Sequence, residues 1–176
     1  GVPVEVAGPE KGSVVVLLGA AHQAPAAYEG VCQRLHTASL KTVVIGPDPR
    51  LTAKSVISIL DSLEVRWALL VGDRMGGELA WELAATRLDR FIGLVVIDRG
   101  HPKVADLTGA VRDEHCPPVE LNTTALVSSS AARAVAKASQ RFVYGEYRIV
   151  DLLGRRNAAD STAQLAAEIV MRTSTW

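Results

Sequence analysis

A glycine-rich segment at positions 71–77, with the sequence VGDRMGG, has the spacing of a catalytic motif. It follows a short apolar run and precedes an amphipathic run, so it lies at a turn from a strand into a helix. The pattern G-x-S-x-G at such a turn holds a strained nucleophile at the end of a strand. Gly72 and Gly76 take the glycine positions, and Arg74 stands where the serine would be. A guanidinium stays protonated, so it cannot act as a nucleophile.

Other motifs that use glycine-rich turns are absent from this segment. No Lys-Ser or Lys-Thr pair follows it, as a phosphate-binding P-loop requires, and the dinucleotide spacing G-x-G-x-x-G is also missing. The histidines, cysteines and carboxylates show no spacing typical of metal ligands. We therefore expect neither a cofactor nor a metal site.

The elements that must position this turn can be identified from hydrophobic periodicity. Six short apolar runs are typical of strands, at 14–18, 42–45, 68–71, 94–97, 124–127 and 148–152. Amphipathic runs typical of helices lie between or after them, at 25–38, 52–63, 75–87, 131–139 and 159–172. This alternation predicts an α/β fold in a single domain over 1–176, with an open, mostly parallel six-stranded sheet and helices on both faces. Chemistry in such folds gathers at the carboxyl ends of the strands.

The ordered segments resemble the α/β-hydrolase family over nearly the whole chain. Residues 14–19 are similar to the strand before the family's oxyanion loop, 68–80 to its nucleophile elbow and 87–98 to the segment that follows. The resemblance implies a member truncated at the N-terminus, whose first strands are missing or reduced to a remnant at 2–6. It also implies the loss of the cap domain that usually follows the strand ending at Asp98.

The resemblance further implies a strand order. The 42–45 strand lies at one edge, followed by 14–18, 68–71, 94–97 and 124–127, and 148–152 lies at the other edge. If nothing covers the 42–45 edge, its free backbone groups can pair with another chain. We therefore expect a homodimer or a protein partner.

All three positions of the family's catalytic triad are changed. Arg74 replaces the nucleophile, and the stretch around Ala131 that would carry the acid has no carboxylate. Arg156 is the best match to the histidine position, with Asn157 as the alternative. None of these residues can serve as nucleophile, acid or general base near neutral pH. The resemblance therefore implies a pseudoenzyme with a degenerate triad, rather than a hydrolase.

Two interpretations of the former active site stay open. In the first, two arginines and nearby backbone amides receive a small acidic ligand. The candidate ligand-binding residues are Gly19, Ala20, Arg74, Met75, Asp98 and Arg156. In the second, Arg74 pairs with Asp73 or Asp98 and fills the pocket, leaving a structural or protein-binding role.

A third interpretation is a cryptic esterase with a non-standard residue set. Asp98 and His101, or Asp73, would act on small activated esters, although no serine or cysteine nearby is marked for activation. His115 and Cys116 form another conceivable pair, and His22 follows the oxyanion loop. We regard these as the less favoured alternatives.

Composition excludes several classes of partner. The chain has 176 residues, with 19 basic and 19 acidic side chains and a net charge of zero, so nothing favours nucleic acid. No apolar run reaches the roughly 18 residues that cross a bilayer, so no membrane segment is expected. We expect a soluble, cytoplasmic protein. The two cysteines, Cys32 and Cys116, are too far apart for a paired redox or zinc motif.

Overall fold

A computed structural model describes residues 2–153 and 158–174. Within these residues, seven strands form one sheet. The strands are β1 (Val4–Ala7), β2 (Ser13–Leu18), β3 (Leu40–Ile45), β4 (Ala68–Asp73), β5 (Phe91–Ile97), β6 (Thr123–Val127) and β7 (Tyr147–Asp151). The helices are α1 (Glu29–Thr37), α2 (Ala53–Ser62), α3 (Met75–Thr86), α4 (Ser130–Ser139) and α5 (Ala158–Thr173), with 3-10 turns at Pro25–Tyr28 and Gln140–Phe142.

The strand order is β1-β3-β2-β4-β5-β6-β7, and every neighbouring pair is parallel except β1 with β3. This confirms the predicted fold class and the predicted order of the six parallel strands. The predicted strand count was wrong by one. Every residue of β1 is exposed, so its sequence has no buried face that would mark it as a strand.

β1 also corrects the prediction about the sheet edge. It pairs antiparallel with β3, placing Val4 opposite Ile45 and Ala7 opposite Thr42. The edge at 42–45 is therefore covered, and the reason for expecting a partner there no longer holds. The expected homodimer or protein partner itself stays a prediction.

Helices cover both faces of the sheet because successive strand residues point to opposite sides. In β2, Val16 and Leu18 pack into the core under α2, α3 and α4. Val15 and Leu17 pack into the other core, under α1 and α5. Trp81 of α3 is fully buried in the first core. Burial on both faces explains why these strands read as continuous apolar runs.

The loops after β2, β4, β5 and β6 meet at one edge of the sheet, because those four strands are parallel neighbours. The connection from β5 to β6, at 98–122, runs without a helix and adds no cap over this edge. No helix in the described ranges is long and apolar enough to cross a membrane.

Candidate functional site

The turn from β4 into α3 has the geometry of a nucleophile elbow. β4 ends at Asp73 and α3 begins at Met75, so Arg74 alone makes the turn, with φ 50° and ψ −108°. Its amide donates to the Ile97 carbonyl at 3.1 Å, which ties the tip to the end of β5. A side chain at Gly76 would collide with the Leu18 carbonyl, so only glycine allows α3 to approach β2 this closely. The strained turn predicted from the glycine spacing is confirmed, with an arginine at its tip.

The Arg74 guanidinium lies between two carboxylates. Its Nη1 donates to Oδ1 of Asp73 at 3.1 Å, and its Nε lies 3.9 Å from Oδ2 of Asp98. The Arg74 side chain is 51% exposed, whereas both carboxylates are about nine-tenths buried. Arg74 thus covers two acidic groups at the carboxyl edge of the sheet.

The Tyr28 hydroxyl occupies the Ala20 amide, a backbone donor that a hydrolase would use to bind an oxyanion. The Ala20 amide donates to the Tyr28 hydroxyl at 2.8 Å, and this hydroxyl donates to Oδ2 of Asp73 at 2.7 Å. Burial is the main reason that the pKa of Tyr28 lies above its usual value. The neighbouring Gly19 amide is also occupied, since it donates to the Ile45 carbonyl at 3.1 Å.

The Met75 amide at the start of α3 differs from the amides of Gly19 and Ala20, which have acceptors. Its amide is at the first position of the helix, where backbone donors lack an intrahelical acceptor. It donates to no protein acceptor among the described residues. Of the backbone amides proposed as ligand donors, the one at Met75 thus has no acceptor among the described residues.

Asp98 joins the loops that follow β5 and β6. It has a positive φ of 58° and accepts hydrogen bonds from the Ser128 amide, at 2.7 Å, and from the Ser128 hydroxyl. The next residue, Ser129, caps α4 by accepting from the Ala132 amide at 3.0 Å. These contacts fix Asp98 beside Arg74.

These residues stand beside a cleft of about 620 Å³ at the carboxyl edge of the sheet. Its uncharged polar lining consists of Gln23, Tyr28, Ser128, Ser129, Ser161 and Thr162. Its apolar lining consists of Ala27, Val31, Ile97, Leu152 and Leu165. Asp73 and Arg74 complete the described lining. The size and the mixed lining are typical of a small-molecule site.

No family model matches this sequence. No curated protein matches it either. Solved structures do. An α/β-hydrolase enzyme from the metagenome of sediments of the Mar Chica lagoon, Morocco, superposes with a TM-score of 0.73 and 14% identity, over 94% of this chain and 91% of that one. The epoxide hydrolase VrEH1 of Vigna radiata superposes with a TM-score of 0.72 and 12% identity, over 100% of this chain and 95% of that one. The monoacylglycerol lipase of Paleococcus ferrophilus superposes with a TM-score of 0.69 and 12% identity, over 98% of this chain and 99% of that one. This chain has the α/β-hydrolase fold.

The structure describes two of the three positions at which the resemblance predicts a changed triad residue. Arg74 occupies the tip of the elbow, where the sequence predicted the replaced nucleophile. Ala131 is an exposed residue in the first turn of α4, and its methyl group cannot supply an acid. Arg156 and Asn157 lie outside the described residues.

The structure does not bring Asp98 and His101 together as a catalytic pair. His101 is fully buried, and its Nε2 donates to the Pro117 carbonyl at 2.7 Å while its Nδ1 accepts from the Lys103 amide at 3.1 Å. Both ring nitrogens are therefore occupied by backbone groups, in the neutral tautomer. Burial lowers the pKa of His101 below its usual value, consistent with a neutral core histidine.

The other candidate groups are also separated from the cleft. Cys116 is 1% exposed, and burial raises its pKa to about 11, so its thiol is inert near neutral pH. His115 points to solvent and lies 3.4 Å from Glu114. His22 is exposed and does not line the cleft. Within the described residues, no group of histidines, cysteines and carboxylates is arranged to hold a metal ion.

The sequence did not point to Tyr28 as part of the site. Tyr28 lies 45 residues before its partner Asp73, and no spacing rule connects a 3-10 turn to the elbow. Ser128 had a usable signal, because it directly follows β6 at the edge where site residues gather. Its pairing with Asp98 is a contact between residues 30 apart, which the sequence does not reveal.

Proposed function

We propose that this protein is a non-catalytic member of the α/β-hydrolase fold that uses the cleft beside the elbow as a binding site. The observation that carries this proposal is the Arg74 guanidinium, which stands at the nucleophile's position and pairs with Asp73 at 3.1 Å. An acyl-enzyme needs a nucleophile that can lose a proton to a base. A guanidinium cannot do so.

The surroundings of Arg74 support the same proposal. The Ala20 amide, at an oxyanion-hole position, already has the Tyr28 hydroxyl as its acceptor. No histidine occurs among the described residues that line the cleft. A hydrolase would need both an open oxyanion hole and a base beside the nucleophile.

Binding would use the residues around the elbow. We propose contacts from Arg74 and the Met75 amide, with Gly19, Ala20 and Asp98 shaping the base of the site. The sequence predicted a small acidic ligand held by Arg74 and Arg156, and that prediction depends partly on a residue outside the described ranges. A protein partner or a second copy of the chain is the other proposed kind of ligand.

The test combines ligand binding with an esterase assay. Thermal unfolding is measured against a panel of small carboxylates, phosphates, amides and alcohols, and turnover is measured with p-nitrophenyl esters. A ligand present at 100 times its dissociation constant stabilises the folded state by about 2.7 kcal/mol, which shifts the midpoint measurably. We expect a shift with at least one compound and no turnover.

Matched arginine variants show whether binding occurs at the elbow. Arg74→Ala should abolish the shift, whereas Arg87→Ala, which removes an exposed pair with Asp89 at 3.3 Å outside the cleft, should leave it intact. Turnover that disappears in Asp98→Asn would contradict the proposal and favour a cryptic esterase. Equal shifts in both arginine variants would place binding away from the elbow.

A further inference from the structure

The charges of the described residues around the cleft do not favour an anion. Arg74 is the one cation among the described residues that line the cleft, and Asp73 neutralises it at 3.1 Å. Asp98 adds a second carboxylate, 3.9 Å from Nε of Arg74. This cluster of three side chains therefore has a formal charge of −1. A carboxylate or phosphate that reaches Arg74 would meet net repulsion.

The cluster also has little capacity left for a cation. Asp73 accepts hydrogen bonds from Tyr28 and Arg74, and Asp98 accepts two from Ser128. Both carboxylates are about nine-tenths buried beneath Arg74. An ammonium group would have to displace the guanidinium before it could contact either of them.

The rest of the described lining suits an uncharged, amphipathic molecule. One side presents hydroxyl and amide groups, which exchange hydrogen bonds with neutral oxygens. Ser129 illustrates this, because its hydroxyl accepts from the Ala132 amide and still has its own proton to donate. The other side is apolar and includes Val31 of α1 and Leu165 of α5. An apolar group placed there would leave water.

We infer that the cleft binds an uncharged amphipathic small molecule, with a hydroxyl or amide-type oxygen at Arg74 and its apolar part against Val31 and Leu165. The half-exposed Arg74 side chain supplies the donor from a nitrogen other than Nη1, which is engaged by Asp73. This inference rests on the proposed binding function, and it replaces the acidic ligand by a neutral one.

Matched compounds test the inference directly. For several apolar skeletons, such as cyclohexyl, phenyl and decyl, the carboxylic acid, the primary amide, the primary alcohol and the amine are each titrated at millimolar concentration, with the unfolding midpoint as the readout. We expect the amide or the alcohol to raise the midpoint and the acid and the amine to leave it unchanged. A shift confined to the acids or to the amines contradicts the inference, and so does no shift with any skeleton.

Two variants test whether the charges of the site determine which compounds bind. Asp98→Asn removes the excess negative charge with little change of shape, so the affinity of the acid relative to the amide should rise about tenfold. An unchanged ratio would contradict the charge argument.

Acid binding that is lost in Arg156→Ala would support the anion site predicted from the sequence, and would also contradict the inference. Ester turnover is measured separately, so failure of the non-catalytic proposal is distinguishable from failure of the ligand class.

Discussion

Arg74 keeps the backbone strain of a nucleophile elbow without being a nucleophile. Its φ of 50° is one that residues other than glycine seldom adopt, at a cost of about 1–3 kcal/mol. The hydrogen bond to Ile97 and the close approach of Gly76 to Leu18 hold this conformation in place. The strain therefore serves to present the guanidinium to the cleft beside Asp73 and Asp98.

Tyr28 gives the first prediction for single residues. Tyr28→Phe removes the acceptor for the Ala20 amide and a donor to the buried Asp73 carboxylate, so two polar groups lose a partner. We expect a loss of about 1–3 kcal/mol in the free energy of unfolding, measured by urea denaturation. Tyr144→Phe is the matched control, because Tyr144 is 70% exposed and should be unaffected. Equal stabilities of the two variants would show that the Tyr28 hydroxyl has no structural role.

His101 gives a prediction about pH. Its pKa in the folded protein lies below the unfolded value of about 6.5, so folding favours the neutral ring. The stability from this histidine is fully present above about pH 6.5 and is lost as the pH falls through its folded pKa. The free energy of unfolding of the wild type should therefore fall more between about pH 7.5 and pH 5 than that of His101→Gln. A parallel fall in both proteins would contradict the neutral assignment.

The residues of the site differ in how far the sequence predicts them. Arg74, Met75 and Asp98 were identified because each follows a recognisable apolar strand or falls at a fixed place in the elbow. Tyr28 was not, since its contact with Asp73 depends on how α1 packs against the sheet. Whether Arg74 pairs with a carboxylate also depends on side-chain geometry, so the sequence left both interpretations of Arg74 open.

At the scale of elements, the junction of β2, β4 and α3 determines the site. The Gly76 backbone lies against the Leu18 carbonyl, so α3 starts directly above the end of β2. Gly76→Ala should force these elements apart and lower the free energy of unfolding by about 3 kcal/mol. Gly77→Ala is the matched control, because its nearest neighbour, the Gly72 carbonyl oxygen, would be 3.3 Å from the new methyl group, whereas the Leu18 carbonyl oxygen would be 2.1 Å from a methyl group at Gly76. Equal costs in thermal unfolding would contradict this account.

Most elements could be predicted because burial leaves a pattern in the sequence. The predicted helix at 75–87 corresponds to α3 at Met75–Thr86, and the predicted strand at 148–152 to β7 at Tyr147–Asp151. β1 was predicted only as a possible remnant at 2–6 and not counted as a strand of the sheet, because it is short and exposed along its length. Its pairing depends on backbone hydrogen bonds to β3, which leave no apolar signal.

At the scale of the whole molecule, β1 protects one edge of the sheet. Removal of residues 1–8 would expose the backbone groups of β3, whose side chains at Val43, Val44 and Ile45 are buried and apolar. An apolar edge strand of this kind pairs readily with other chains. We expect the shortened protein to associate, seen as an increase in sedimentation coefficient with concentration. A shortened protein that sediments like the full chain would show that β1 is not needed to protect this edge.

The fold alone does not establish an activity, because one fold supports many functions. The neighbours described above are named as hydrolases, yet they share only 12–14% of their residues with this chain. Here the functional conclusion depends on the groups at the elbow and in the cleft. The described lining of the cleft includes Arg74, which lies at the tip of the elbow.

The most direct measurement is the intact mass of the protein after incubation with a fluorophosphonate, which forms a stable adduct with an activated serine. A protein with Arg74 at the elbow, and with the Ala20 amide hydrogen-bonded to Tyr28, should show no added mass. A known serine esterase treated in parallel confirms that the reagent is active. A stoichiometric adduct on a residue of the cleft, such as Ser128 or Ser129, would contradict the proposal that this protein binds without catalysing.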